Sequence, residues 1–369
     1  MSPKSFQDLI NEVHDKGICQ ECGGCVSFCS SADFHIIDFK DKYSPPVYVK
    51  KDECLECGIC YYICPQTHVS DYDLNKTFTF SDYNSMPIGP FYEIYLCQAT
   101  DNEFLELGSD GGVVNSIINL LIEKKMIDGA IVAKTEAPFS RNAIFANSKE
   151  DLLKTSGALL DISPQLTEIQ KFSTYTLSIP ELKKYTDNKL AVVGTPCQIY
   201  TMRCMQELGV TPSQNIEICL GLFCFENFLF DKHQIKKFEK DFNIQLENIK
   251  KINIKEDLII HFKDNRKLHI PFNHLNEYMR PACNACNNFT NIYSDISFGG
   301  LGAPFKYTTV VVRTKKGKDI ISEAFSAGVI KKMDIDDQRK ERLIEVLSQY
   351  SRMKVERYEK FTSHLIEAQ

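Results

Sequence analysis

Eight of the fifteen cysteines fall into two copies of one spacing, C-x2-C-x2-C-x3-C, within the first 65 residues. The two copies are Cys19, Cys22, Cys25 and Cys29, and Cys54, Cys57, Cys60 and Cys64. Three thiolates at this spacing can occupy three corners of an iron-sulfur cubane, and Gly23, Gly24 and Gly58 let the backbone wrap closely around it. The spacing therefore predicts two [4Fe-4S] clusters held by a small, metal-stabilised unit.

The fourth cysteine of each copy is expected to reach across to the other cluster, as in bacterial two-cluster ferredoxins, where a proline follows the last cysteine. Pro65 stands at that position. We therefore assign cluster one to Cys19, Cys22, Cys25 and Cys64, and cluster two to Cys54, Cys57, Cys60 and Cys29. Zinc is the alternative, but its C-x2-C pairs would leave the middle cysteines unexplained. Between the two copies, residues 31–52 predict a short β-hairpin.

The charge and hydropathy of the chain exclude several classes of function. A net charge of −6 without a basic region argues against a nucleic-acid partner. No apolar run approaches the roughly 18 residues that a membrane-spanning helix needs, and the first residues lack the apolar core of a signal peptide. Without an export signal, fifteen cysteines are typical of metal ligands in a reducing compartment. We therefore expect a cytoplasmic protein, free or bound peripherally to a membrane complex.

The periodicity after residue 90 predicts a second, larger domain. Residues 1–89 then form the two-cluster domain with a polar linker, and residues 90–369 form the larger one. Strands are predicted at 93–97, 129–134, 190–193, 216–219 and 308–313. Helices are predicted at 113–126, in stretches between 134 and 187, from 196 onward and at 334–369. Strands that alternate with helices predict an α/β layered domain.

A glycine-rich turn, Gly-Ser-Asp-Gly-Gly at 108–112, leads directly into a predicted helix. Free backbone N–H groups at a helix start can hold a phosphate. Asp110 could equally be only the N-cap of that helix. The lysines at 250–255 and 315–318 are expected to form solvated faces, because lysine is rarely buried.

Seven cysteines remain outside the two copies. Cys283 and Cys286 form a C-x2-C pair of the kind that grips a metal or a cluster edge. Cys197 follows Thr195 and Pro196 at a predicted helix start, where the helix dipole favours a thiolate. Cys224 follows a predicted strand. The other three lie inside apolar patterns and are expected to be buried core residues: Cys97, Cys204 and Cys219.

Several of these segments resemble the family of beta subunits found in hydrogenases and dehydrogenases that use coenzyme F420, the deazaflavin hydride carrier of methanogens and related archaea. The matching stretches are 97–130 with its Ser-Asp-Gly-Gly-Val-Val turn, 194–198, 221–224, 280–286 and 295–299. They extend over most of the larger domain. With the two-cluster unit in front, the chain looks most like the electron-input subunit of a dehydrogenase that oxidises the reduced coenzyme.

The resemblance implies one FAD and a third [4Fe-4S] cluster in the larger domain. It implies that Cys197, Cys224, Cys283 and Cys286 ligate this cluster. It also implies that the FAD is contacted by Ser109, Asp110, Gly111, Gly112 and Val113, and by Thr195. The expected function is hydride exchange between coenzyme F420 and FAD, with single electrons relayed through three clusters to or from a ferredoxin, a membrane dehydrogenase complex or another oxidoreductase. The flavin carries the hydride transfer, so no catalytic side chain is expected.

One departure from the family pattern bears on the hydride donor. Many members carry Gly-Ser-Lys-Tyr where this chain has Gly157-Ala158-Leu159-Leu160. The change removes polar groups from the cofactor site, and so a flavin and iron-sulfur reductase for another substrate is one alternative. A second alternative is a flavin-free subunit that only conducts electrons within a larger complex.

Overall fold

The computed structural model describes residues 4–32, 34–157, 161, 163–172 and 188–367. The described strands, in chain order, are β1 (Ile37–Asp38), β2 (Val47–Tyr48), β3 (Glu93–Ala99), β4 (Gly129–Ala137), β5 (Ser140–Ala146), β6 (Leu190–Gly194), β7 (Ile216–Leu222), β8 (Ile249–Ile254), β9 (Asp257–Phe262), β10 (Lys267–Pro271), β11 (Ile296–Gly299), β12 (Thr308–Val312) and β13 (Ile330–Lys332).

The described α-helices are α1 (Phe6–Leu9), α2 (Gly24–Ser31), α3 (Ile59–Tyr62), α4 (Asp71–Thr77), α5 (Asn102–Leu107), α6 (Val113–Glu123), α7 (Lys149–Lys154), α8 (Pro196–Glu207), α9 (Lys232–Asp241), α10 (Lys315–Ser326) and α11 (Asp337–Glu367). A π-helical turn follows α1 at Ile10–His14. Short 3-10 helices lie at Lys51–Glu53, Gln165–Phe172, Ser213–Asn215, Leu246–Asn248, Phe272–Leu275 and Pro281–Ala285.

The larger part of the chain is a mixed α/β structure built on an eight-stranded sheet with the order β13-β3-β12-β11-β7-β6-β4-β5. Its centre, from β4 through β6 and β7 to β11, is parallel. The outer strands pair antiparallel. Strand β6 is buried along its whole length, because helices cover both faces of a central parallel strand. The predicted α/β class is confirmed at this level.

Three apolar clusters cover the two faces of this sheet. On one face, α6 and α10 pack against every strand through residues such as Ile117, Val193 and Phe298. On the other face, α8 covers β4, β6 and β7, and α11 covers β3 and β12 through Leu343 and Leu347. Cys97, Cys204 and Cys219 are fully buried in these cores, as predicted.

The N-terminal segment has its own small core and also packs against the sheet. The predicted hairpin is present as the antiparallel pair β1 and β2, with Ile37 opposite Tyr48. Helices α2 and α3 each begin after a glycine in the left-handed region, Gly23 at φ +87 and Gly58 at φ +77. The predicted linker contains α4 and buries Leu74 beneath α8. It therefore wraps the larger part of the chain.

The structure corrects two predictions about secondary structure. The helix predicted at 113–126 is present and starts at Val113, but it ends at Glu123. Part of the region predicted as helical after residue 134 is strand β5, which pairs antiparallel with β4. Phe139, with φ +59, forms the turn between them, and no glycine or asparagine signals it. The rest of that prediction, 173–187, lies outside the described residues, as do Ala158, Leu159 and Leu160.

A three-stranded antiparallel sheet, β10-β9-β8, was not predicted. It packs with α9 on a separate aromatic core that includes Phe228, Phe230 and Phe238. Strand β8 ends beside the glycine-rich turn, where the side chain of Asn253 donates to the carbonyl of Ser109. The small sheet therefore lies next to the glycine-rich turn, above one edge of the large sheet.

Among the described residues, no helix is both long enough and apolar enough to cross a bilayer. Helix α11 has 31 residues, but it alternates apolar and charged positions along its length.

Candidate functional site

A cavity of about 420 Å3 opens at the carboxyl ends of the parallel strands. Ligands bind at this edge in open α/β sheets, because the loops that follow the strands converge there. The walls come from the ends of β4, β6, β7 and β11, from the glycine-rich turn and from Tyr350 and Met353 of α11. A cavity of this size suits a cofactor or part of one.

The glycine-rich turn forms one side of the cavity. Ser109, Asp110, Gly112 and Val113 line it, as does Thr195 at the end of β6. Gly111 stands behind the wall, where its N–H donates to Thr308 Oγ1 at 2.9 Å. Gly112 has φ +69 and a Cβ on it would lie 2.4 Å from the carbonyl oxygen of Phe104, so only glycine fits. The N-terminus of α6 therefore faces a space able to take a phosphate-bearing ligand.

Asp110 is not the cap of this helix. The N-cap of α6 is Gly112, which makes no side-chain capping bond. The carboxylate of Asp110 instead lies 2.7 Å from Lys255 Nζ at the end of β8. Burial raises the pKa of Asp110, and the lysine opposes part of that shift. The prediction of a solvated face is thus wrong for Lys255, which also donates to the carbonyl of Gly300.

The four cysteines implied for a third cluster line one smaller cavity: Cys197, Cys224, Cys283 and Cys286. Thr195 and Gln198 form a capping box at the start of α8, with Pro196 in its first turn. This start fixes Cys197, whose Sγ lies 3.2 Å from Thr195 Oγ1. Burial raises the pKa of Cys197, and neighbouring thiols raise it further. A metal centre between these thiols would displace their protons, because coordination deprotonates a thiol.

The N-terminal cysteines also lie in two neighbouring groups. Cys19, Cys22, Cys25 and Cys64 line one buried cavity, which Cys60 also touches. Cys29 lies near Cys54 and Cys57, since both raise the pKa of its thiol in addition to the larger effect of burial. Cys57 is exposed. Within the described ranges, no three His, Cys, Asp or Glu side chains are arranged to hold a single metal ion.

The four sites adjoin in turn, and Cys60 links the last two, since it lines the cavity of Cys19 and also lies near Cys57 and Cys54. Arg141, Thr195, Gln198, Cys224 and Asn227 line both the large cavity and the third cysteine site. From there, Thr201 Oγ1 donates to the Cys197 carbonyl at 3.1 Å and lies 3.7 Å from Cys22 Sγ. The sites therefore form a series from the large cavity to the exposed Cys57.

Comparison with known proteins identifies the family. Two family models for one kind of protein match, "Coenzyme F420 hydrogenase/dehydrogenase, beta subunit N-term" over residues 94–170 and the model of the C terminus of the same beta subunit over residues 187–338. Together they cover well over half of the chain. The chain belongs to the family of coenzyme F420 hydrogenase/dehydrogenase beta subunits. It is therefore a member of an F420-linked oxidoreductase family, as the sequence resemblance indicated.

Individual relatives of this family member differ in length. The chain is 30% identical over 332 residues to a coenzyme F420-dependent sulfite reductase of Methanocaldococcus jannaschii, which covers 85% of the chain but 47% of that protein. The chain thus spans about half the length of this relative. It is 25% identical to a subunit of the F(420)H(2) dehydrogenase of Methanosarcina mazei, over 84% of the chain and 83% of that relative.

A solved structure agrees with the fold. A chain of the F420-reducing [NiFe] hydrogenase complex from Methanosarcina barkeri superposes with a TM-score of 0.62 at 27% identity, over 73% of this chain and 93% of that one.

Three basic side chains at the sites were missed by sequence reasoning. Arg141 in β5 and Lys354 in α11 line the third cysteine site with Arg280. Arg280 forms an ion pair with Glu21 and donates to the carbonyl of Cys19, so it joins two sites. The position of Arg280 three residues before Cys283 was a usable signal. Arg141 and Lys354 carry no local signal, because both reach the site through tertiary packing.

Proposed function

We propose that this chain is an electron-transfer subunit that exchanges hydride with coenzyme F420 by means of FAD and passes single electrons through three [4Fe-4S] clusters to or from a partner. The observation that carries the proposal is the series of adjoining sites. The large cavity shares Cys224 with the third cysteine site, and that site touches Cys22 through Thr201. Such a series would let charge move from a buried pocket to the surface.

The residues of the large cavity fit FAD. The N-terminus of α6 at Gly112 and Val113 would face the pyrophosphate, and Ser109 and Thr195 would add polar contacts. Gly111 would not contact the cofactor directly, because its N–H donates to Thr308 Oγ1; it would instead hold the turn in place. When bound, FAD supplies the conversion between a hydride pair and single electrons that the deazaflavin and the clusters require.

The cysteine sets fit three clusters. Cys197, Cys224, Cys283 and Cys286 would hold the cluster next to the flavin. Cys19, Cys22, Cys25 and Cys64 would hold the middle one, and Cys54, Cys57, Cys60 and Cys29 the outer one. Cys283 is buried and the other cysteines of the first two sets are partly buried, whereas Cys57 of the third set is exposed; this difference supports an outer cluster near the surface. We propose the two N-terminal sets, within residues 1–89, as a ferredoxin-like domain.

The partner is proposed to be another oxidoreductase protein. The sulfite reductase relative is about twice as long as the matching region, and the relative from M. mazei is named as a subunit of a dehydrogenase. Both facts support the proposal that this chain carries out the coenzyme F420 half of a redox reaction and that a second protein carries out the other half.

A titration with reduced coenzyme F420 tests the proposal. The protein is purified and reconstituted without oxygen, its flavin and iron are quantified, and flavin and cluster absorbance are followed as the coenzyme is added. We expect bound FAD and bleaching of both chromophores as the coenzyme is oxidised. Protein that cannot be loaded with flavin would support the electron-conducting alternative. Flavin that is bound but stays oxidised would support a reductase for another substrate.

A further inference from the structure

Lys354 is a buried cation at the third cysteine site. Lys354 lies in the middle of α11 and is 1% exposed. The ammonium donates to the carbonyl of Asn288 at 3.0 Å and to the carbonyl of Cys224. These carbonyls belong to the two loops that carry Cys224 and Cys286, so the lysine stands between the loops.

The other charges around the site are offset by partners. Arg280 forms an ion pair with Glu21, and Arg357 lies 2.7 Å from Glu226. Arg141 faces the thiols of Cys224 and Cys197 and the carboxylate of Asp161, which also forms an ion pair with Lys42. In the part of the chain that the structure describes, no carboxylate forms an ion pair with Lys354. The groups that face it are the thiols of Cys286, Cys224 and Cys283, the guanidinium of Arg357 and, farther away, the carboxylate of Glu226, which forms its ion pair with Arg357.

An ammonium removed from water without a counter-charge costs several kcal/mol. Two carbonyl oxygens satisfy hydrogen bonds but carry no net charge, so they offset this cost only in part. The cavity that Lys354 lines with four cysteines is the place where a negative charge would balance it. A [4Fe-4S] cluster held by four thiolates carries net negative charge in both redox states.

We propose that Lys354 is the counter-ion of the third cluster and raises its reduction potential. The inference rests on the proposed function, since it requires a cluster at Cys197, Cys224, Cys283 and Cys286. Reduction adds one electron to the cluster, with no bond formed or broken and no proton transferred. The added negative charge interacts favourably with a fixed ammonium nearby, and net charge is one of the factors that set cluster potentials.

The test compares charge removal at two lysines of α11. Lys354→Met removes charge and hydrogen bonds, whereas Lys354→Gln removes the charge and keeps an N–H donor. The matched control is Lys360→Met, because Lys360 is an exposed lysine in the same helix. Each reconstituted protein is reduced stepwise with dithionite at controlled potential and followed by electron paramagnetic resonance. The signal that changes in Cys197→Ser is assigned to the third cluster.

We expect the third cluster of both Lys354 variants to become harder to reduce, by tenfold or more in its reduced-to-oxidised ratio at a fixed potential. Tenfold corresponds to 59 mV for a one-electron couple. The Lys360 control should match the wild type. An unshifted potential in Lys354→Met and Lys354→Gln overturns the inference. A shift in Lys354→Met that is absent in Lys354→Gln also overturns it, because the hydrogen bonds alone would then explain the effect.

A second variant keeps the inference testable if the Lys354 variants lose the cluster. Glu226→Gln leaves Arg357 without its carboxylate and so adds one net positive charge beside the same cysteines. The third cluster should then become easier to reduce. A potential that stays at the wild-type value, or falls, contradicts the electrostatic account.

Iron content separates the failure of this inference from that of the proposed function. Wild-type protein with three clusters holds about twelve iron atoms per chain. About eight iron atoms, with no signal that responds to Cys197→Ser, would refute the third cluster itself. About twelve iron atoms with potentials that do not respond to Lys354 would refute only the role of the lysine.

Discussion

Gly112→Ala is expected to destabilise the protein and weaken flavin binding together. Alanine in the left-handed region costs about 1 kcal/mol relative to glycine. The new Cβ would also lie 2.4 Å from the carbonyl oxygen of Phe104, a backbone atom that cannot rotate away. Relief to an ordinary contact near 3.4 Å requires α5 and α6 to separate by about 1 Å. Overpacking of this kind adds roughly 1–3 kcal/mol, for a total of about 2–4 kcal/mol.

Gly328→Ala is the matched control. Gly328 has the same φ of +69, but a Cβ there meets no atom within 4 Å, so only the backbone cost of about 1 kcal/mol applies. The assays are anaerobic urea unfolding and flavin content after reconstitution. Gly112→Ala should unfold at a lower urea concentration than Gly328→Ala and retain less FAD. Equal midpoints with full flavin in both variants would refute the assignment of the turn.

Three other perturbations have defined outcomes. Asp110→Asn and Lys255→Met should each destabilise the protein by roughly 3 kcal/mol in urea unfolding, since each leaves a largely buried charge unpaired. The double variant should lose clearly less stability than the sum of the two single variants. Additive losses would contradict this coupling. Cys283→Ser should lower the iron content by about four atoms per chain, whereas Cys204→Ser, which changes a core cysteine, should not. Burial lowers the pKa of His14, so the folded protein should lose stability as pH falls below the ordinary value of 6.5; a negatively charged cluster in the cavity that His14 lines would reduce this loss. A His14→Gln variant should lose that part of the pH dependence in urea unfolding, and an unchanged profile would contradict it.

The elements that could be predicted are those with a local signal. Strands such as β6 are short apolar runs between turn residues, and their positions were predicted to within a few residues. The start of α8 was recognised because Thr195 and Pro196 are a capping residue and a first-turn proline. Strand β5 was missed because its turn, Pro138-Phe139, has phenylalanine at the position with positive φ where glycine or asparagine is usual, and Pro138 alone was not recognised as the signal.

The site residues also differ in whether a local sequence signal reveals them. Cysteine spacing alone grouped the eight N-terminal thiols. The joining of Cys197, Cys224 and the C-x2-C pair depended on the family resemblance, since those segments are far apart in sequence. Lys255 and Lys354 could not be recognised, because a lysine in a charged stretch looks the same whether its end reaches solvent or a cavity. Their burial follows from tertiary packing, which brings the end of β8 in the small sheet beside the glycine-rich turn and α11 beside the cysteine loops.

Helix α11 has a consequence for how the chain is made. Its far end contributes Phe361 and Leu365 to the same apolar core as Phe6 and Leu9, so residues from opposite ends of the chain complete one unit. Synthesis proceeds from the N-terminus, and the N-terminal cysteines leave the ribosome some 300 residues before that helix. Until then the N-terminal unit would stay uncovered on that side, and the cysteines of its proposed cluster sites would remain accessible for cluster assembly.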